Sequence, residues 1–201
     1  MARFGEDKTV IVPLIGSCID VYPERNSRDI IPELSGADGV KVSDWTAMEL
    51  QSRLAEWDRR YAIAVDVIGV GASVYDHLRH YSGLSNIHGI NTAEAPSDDV
   101  KFHRLRDQLL WWLRDEFEAR TNRIPKDDEL FAELTTIKWD VQGGKIKVEG
   151  KKEMRKRGLA SPNKLDAYAL ALYARRLLGK PGLAAKGYSY WRRRVPVAAS
   201  P

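Results

Sequence analysis

The sequence predicts a mixed α/β fold, on three observations. An apolar strand at residues 61–67 (YAIAVDV) runs straight into a glycine turn and a short helix. Several segments repeat apolar residues at helical spacing. Two alternating runs flank Gly143-Gly144, which is the signature of a β-hairpin. Strands that precede helices around Asp66, with meander-like segments towards each end, place the chain in the α/β class.

In chain order, residues 9–15 (TVIVPLI) are β-branched and read as a strand. Pro13 cannot donate to a ladder, so an edge or a bulge is expected there. Residues 16–42 carry five glycines and prolines and read as short strands and turns. Asp44 is a candidate N-cap for a helix over 44–60, with Ala47, Leu50, Leu54 and Trp57 as its buried stripe. In the strand at 61–67, Ile63, Val65 and Val67 share one face, and Ala62, Ala64 and Asp66 share the other. A helix over 73–81 and a strand over 87–90 follow. Phe102, Leu105, Leu109, Leu113 and Phe117 then mark a long helix. Asp127 or Asp128 starts the next, with Leu130, Phe131 and Leu134.

The hairpin register sets Trp139 opposite Val148, Val141 opposite Ile146 and Asp140 opposite Lys147. Ser161-Pro162 reads as an N-cap followed by a first helical proline, opening a helix to about residue 178. Residues 180–201 show little periodicity and read as a flexible basic and aromatic tail.

Composition narrows the function. Apolar residues make up 43% of the 201, enough for a packed core. The formal net charge of +4 is a weak pointer to an anionic partner. Cys18 is the single cysteine, so no internal disulfide can form. It sits among apolar neighbours as a packing residue, in keeping with a cytoplasmic protein. No apolar run approaches the ~20 residues of a membrane span.

Two acids draw attention. Asp66 interrupts an apolar strand at the point where a glycine turn begins. A lone buried carboxylate costs several kcal/mol unless it is paired or bound to a cation. It therefore reads either as a cap for the following helix or as a metal ligand at a strand's C-terminal end. The stretch IGVGAS lacks the third glycine of a dinucleotide fingerprint, which argues against that reading. Asp166 falls in the first turns of its helix, where an acid also suits the helix dipole.

The three strings ARFGEDKTVIV, AVDVIGVGASVYDHL and KKEMRKRGLASPNKLDAYALAL, in this order and spacing, resemble the nuclease domain of bacteriophage terminase large subunits. The resemblance implies a ribonuclease H-like fold over residues 1–179, with a mixed central sheet flanked by helices and an additional β-hairpin. It implies a metal-dependent endonuclease that cuts concatemeric double-stranded DNA with two Mg²⁺ or Mn²⁺ ions. Asp66 takes the place of the central-strand ligand, Asp166 that of the acid on the last helix, and Asp7 that of a further acid near the metals. Lys151 or Lys152 matches a basic residue near the scissile phosphate.

Two positions depart from the pattern. The family's first aspartate would fall immediately before Met1, which implies a first strand cut at its start and impaired activity. Asn163 stands where family members often carry Asp.

Partners implied by the resemblance are DNA, a terminase ATPase domain, the small terminase subunit and the portal protein, in the bacterial host cytoplasm. The sequence has no Gly-x-x-x-x-Gly-Lys-Ser/Thr segment, so no ATP site is expected in it. Lys145, Lys147, Lys151, Lys152, Arg155, Lys156 and Arg157 form a basic cluster suited to phosphate contacts. Two other readings remain open on the residues: another ribonuclease H-like nuclease such as a junction resolvase, and a non-catalytic DNA- or portal-binding module.

Overall fold

The structure is a computed structural model and describes residues 8–19, 30–55 and 60–178. Asp7, Trp57 and the tail at 180–201 lie outside the described residues.

The elements run β1 (Thr9–Val10), β2 (Leu14–Ile15), β3 (Cys18–Ile19), β4 (Glu33–Leu34), α1 (Gly39–Ala55), β5 (Ile63–Asp66), α2 (Gly71–Tyr81), β6 (Ile87–Ile90), α3 (Leu105–Glu118), α4 (Asp128–Thr136), β7 (Trp139–Gln142), β8 (Lys145–Val148), α5 (Lys151–Lys156) and α6 (Asn163–Leu177). The class is mixed α/β. In place of one continuous central sheet, the described residues form four strand pairs: β1 with β4, β2 with β3, β5 with β6, and β7 with β8. The apolar run at 9–15 is one reason. It is split around Pro13 into β1 and β2, because proline supplies no ladder donor.

β5 and β6 are the parallel pair, with Ile63 beside Ile87 and Asp66 beside Ile90. Helices cover both faces, as parallel strands require. On one face Val65 and Ile87 pack with Val42, Ala47, Val74 and Leu78 of α1 and α2. On the other, Ala64 and Ile90 join the larger core. Its centre is the contact of α3 with α6, where Leu109, Leu113, Leu165, Tyr168 and Leu172 are almost fully buried. Each such leucine contributes roughly 1.5–3 kcal/mol by leaving water.

Helix starts differ from the sequence expectation in two places. α1 begins before Asp44, because Asp38 Oδ1 accepts from Lys41 N at 2.9 Å and serves as the capping acid. α6 begins at Asn163, with Pro162 at the cap position and no capping bond from Ser161. Glu133 reaches over from α4 instead, and its Oε2 accepts from Leu165 N at 2.7 Å. Asp127 caps α4 by accepting from Leu130 N at 2.8 Å, and the same carboxylate binds the buried Lys164 ammonium of α6 at 2.8 Å. Each helix thus supplies a charged group to the other's N-terminal turn, which fixes where α6 starts.

The hairpin turns at Gly143 and Gly144, both at positive φ (57° and 78°), as a two-residue type I′ turn demands. Trp139 lies opposite Val148, Asp140 opposite Lys147 and Val141 opposite Ile146. Ile146 and Val148 are buried, whereas Trp139 and Val141 are exposed. The hairpin is tied to α3 through Asp107, whose Oδ1 accepts from Val148 N at 3.0 Å while Oδ2 accepts from Arg104 N at 3.1 Å. No helix among the described residues is long and apolar enough to cross a membrane.

Candidate metal centre at the end of β5

Alternation along β5 decides which way Asp66 faces. Val65 packs on the α1–α2 side and Ala64 on the α6 side. Asp66, two residues after Ala64, therefore faces α6. The chain then turns at Gly69, which has φ +67°, and re-enters a helix at Gly71. A Cβ on Gly71 would collide with the Asp66 carbonyl oxygen, so glycine there permits the tight turn that ends β5 at the acid.

Asp66 and Asp166 line one cavity of about 650 Å³, together with Lys151 and Asn163. Burial pushes the Asp66 carboxyl above the usual carboxylate range. The N–H of Ile68, 3.1 Å from Oδ1, opposes that shift. The charge of Asp166 adds to it and the charge of Lys151 opposes it. Thr92 Oγ1 lies 3.4 Å from the other oxygen, a long hydrogen bond. Two carboxylates that repel across a partly dry cavity are a poor arrangement by themselves, and a cation between them relieves it.

Asp166 is held from behind. Arg106, on the first turn of α3, donates through Nε to Asp166 Oδ1 at 2.9 Å and through Nη1 to the Glu149 carbonyl at 2.9 Å. Its Nη2 is buried without a hydrogen-bond partner. Next to this pair, burial pushes Glu133 up to about 7. The Leu165 N–H opposes the shift, and the charges of Glu129 and Asp166 reinforce it.

Of the residues singled out in the sequence, Asp66, Asp166 and Lys151 are brought to one cavity, and Lys151 Nζ donates to Asn163 Oδ1 at 3.4 Å. Lys152 and Lys156 are exposed on α5. Arg155 lies 3.4 Å from Ser161 Oγ. Arg157 binds Glu149 and, at 3.2 Å, the Thr136 carbonyl, so its guanidinium ties α5 to the end of α4. Lys145 and Lys147 sit on β8, with Lys147 Nζ 3.2 Å from Gln142 Oε1. Among the described residues, no group of three or more His, Cys, Asp or Glu is gathered to hold a metal ion. The donor set found here is two carboxylates with hydroxyl and amide oxygens close by. That suits a hard cation of the Mg²⁺ type, which uses one or two protein carboxylates and completes its shell with water and phosphate oxygens.

Sequence reasoning missed Arg106 and Glu133. Glu133 was detectable: it falls on the apolar stripe of α4 with Leu130, Leu134 and Ile137, where a carboxylate needs a reason. Arg106 gives no such signal, because its partner is 60 residues away.

No family model and no curated protein matches the chain. Solved structures do. The nuclease domain of the large terminase subunit gp2 of bacterial virus Sf6 superposes with a TM-score of 0.63 at 21% identity, over 82% of this chain and 86% of that one. A lysine-to-alanine mutant of that domain, solved with manganese, gives 0.61 at 21% over 84% and 88%. The same kind of mutant with calcium gives 0.62 at 20% over 82% and 86%. The chain therefore has the fold of a phage large-terminase nuclease domain.

Proposed function

We propose that the chain is the metal-dependent endonuclease domain of a phage DNA-packaging terminase, a ribonuclease H-like nuclease that cuts concatemeric double-stranded DNA. The observation that carries this reading is the meeting of Asp66 and Asp166, far apart in sequence, in one cavity on a fold shared with a terminase nuclease domain. The manganese and calcium named with the related structures accord with divalent-metal binding by a domain of this fold.

Asp66 and Asp166 would hold the metal. When bound, one or two Mg²⁺ or Mn²⁺ ions supply an activated water and neutralise the charge that develops on the phosphate and the leaving oxygen. The chain's own residues do the rest. Arg106 fixes the rotamer of Asp166 through its Nε hydrogen bond to Oδ1. Lys151 places a positive charge beside the acids, where it can pair with the scissile phosphate and offset its repulsion from them. Thr92 and the Ile68 N–H orient Asp66. Lys145, Lys147, Lys152 and Lys156, with Arg155 and Arg157 at the margin, give a basic approach along β8 and α5 for the DNA backbone. Asp7 is a further candidate ligand in this reading. A terminase ATPase domain, the small subunit and the portal are the partners such a domain would serve.

The test is Mn²⁺-dependent nicking of supercoiled plasmid by this chain, and by a version extended upstream with an aspartate before Met1, each with and without Asp66→Asn. Cleavage lost on Asp66→Asn supports the reading. Cleavage that survives Asp66→Asn, or a preference for four-way junctions over linear duplex, contradicts it.

A further inference from the structure

The turn that follows Asp66 has the wrong chemistry for an ordinary surface turn. Between Asp66 and Asp76 the chain holds no charged residue. Ile68, Gly69 and Val70 lie at the cavity with Asp66. Ile68 is 51% exposed and Val70 54%. Turns are usually built from small and polar residues, so two large apolar side chains facing water here call for a reason.

Their position is tied to the acid. Ile68 N donates to Asp66 Oδ1 at 3.1 Å, and Ser73 Oγ holds the Val70 carbonyl at 2.8 Å. Gly69 at φ +67° and Gly71, packed on the Asp66 carbonyl, fix the path between them. Two residues of chain span at most ~7 Å, so the Ile68 backbone lies within that distance of the Asp66 backbone. A phosphodiester that reaches a cation on Asp66 therefore brings its flanking sugars to the Ile68 side chain.

The two sides of the acid pair differ in charge. On the α6 side, Lys151 lines the cavity and bonds Asn163, and Lys152 and Lys156 are exposed on the same short helix. Basic side chains such as these pair with phosphate oxygens and set the register of a duplex. On the Asp66 side the turn offers no charge and no side-chain donor at Ile68 or Val70. Phosphates pressed against it would lose water and gain no partner. What a duplex can offer apolar side chains is the deoxyribose carbons and base edges of its minor groove, which other proteins fill with Ile, Leu or Phe.

We propose that Ile68 and Val70 form an apolar tip that enters the minor groove of the substrate duplex and packs on the sugars beside the bond to be cut, while the lysines of α5 hold phosphates. The inference rests on the nuclease reading and deepens it, by naming the groove that faces the acids and the side chains that select it. Groove packing releases no counterions, so the tip adds affinity without adding salt dependence.

The experiment is binding of a short A·T-rich duplex, followed by fluorescence anisotropy with Ca²⁺ as the divalent ion over a series of salt concentrations. It compares the parent chain, the double variant Ile68→Ser with Val70→Ser, the double variant Ile68→Leu with Val70→Ile, and Lys152→Gln with Lys156→Gln. Each is measured with and without netropsin, which fills the A·T minor groove. The serine variant is expected to bind at least ~10-fold more weakly, from the lost apolar burial, with the parent's slope of log affinity against log salt. The Leu/Ile variant should bind like the parent, and the glutamine variant should show a shallower slope. Netropsin should weaken the parent and leave the serine variant unaffected. Parent-like affinity of the serine variant, weak binding by the Leu/Ile variant, or equal effects of netropsin on parent and serine variant would overturn the proposal while leaving the nuclease reading standing. A parent chain that binds no duplex would overturn both.

Discussion

Arg106 holds Asp166 with Nε at 2.9 Å from Oδ1, and the same guanidinium reaches the Glu149 carbonyl at 2.9 Å. One side chain thereby joins α3, the end of the hairpin and the acid of α6. Arg106→Gln leaves Asp166 without its counter-charge and frees the Glu149 carbonyl. The expected loss is about 2–3 kcal/mol of stability, the range for hydrogen bonds to charged groups in a half-buried setting. Urea denaturation measures it. Because Arg106 acts through Asp166, Arg106→Lys is expected to recover most of the stability but little of the Mn²⁺ affinity, as an ammonium cannot hold the carboxylate and the carbonyl in one plane.

Asp66→Asn separates a ligand from a structural acid. Burial and the charge of Asp166 both disfavour the Asp66 carboxylate. Replacing it with the neutral amide is expected to leave the metal-free protein as stable or slightly more so at pH 7, while divalent-metal binding disappears. Thermal melts with and without Mn²⁺ read both effects. A destabilised apo variant would make Asp66 a helix cap instead.

Glu133 gives the metal-free protein a pH dependence with a definite sign. Its folded value of about 7 lies above its ordinary 4.5, so the native state binds more protons than the unfolded state between these limits. The contribution is fully present below about 4.5 and is lost as pH rises through about 7. The expected slope is a fall of up to about 1.4 kcal/mol per pH unit within the window. Glu133→Gln keeps an oxygen for the Leu165 N–H and should flatten that slope. An unchanged slope in urea titrations across pH 5–7 would contradict the assignment.

Gly71→Ala tests the turn. The added methyl meets the Asp66 carbonyl, which is backbone and cannot swing aside. A conformational shift at the end of β5 is expected, with metal binding lost and a destabilisation of roughly 1–3 kcal/mol from overpacking. At Gly36 a Cβ would meet nothing within 4 Å, so Gly36→Ala carries only the strain of its positive φ and should leave metal binding intact.

Much of this was legible in sequence because the signals were local. Gly143-Gly144 between alternating runs specifies the hairpin and its register, and the strand read over residues 87–90 is β6. Asp66 stood out as a charge in an apolar strand. What sequence could not show is set by distant partners. Asp38 rather than Asp44 caps α1, and Glu133 rather than Ser161 caps the start of α6, because the side chain that reaches the free N–H groups wins over the better-placed residue type. Arg157 belonged to a basic run but is engaged by Glu149 and Thr136. The single central sheet was expected from the resemblance. Strand pairing is non-local, and in this chain β5 has one partner among the described residues.

The central claim is that Asp66 and Asp166 act together on one divalent cation. Mn²⁺ binding followed by electron paramagnetic resonance, on the chain and on Asp66→Asn and Asp166→Asn, tests it most directly. The predicted result is saturable binding that either substitution weakens by at least ~10-fold, about 1.4 kcal/mol, with the fold retained. Binding that is indifferent to both substitutions, or lost with only one while the other leaves it unchanged, would contradict a shared site.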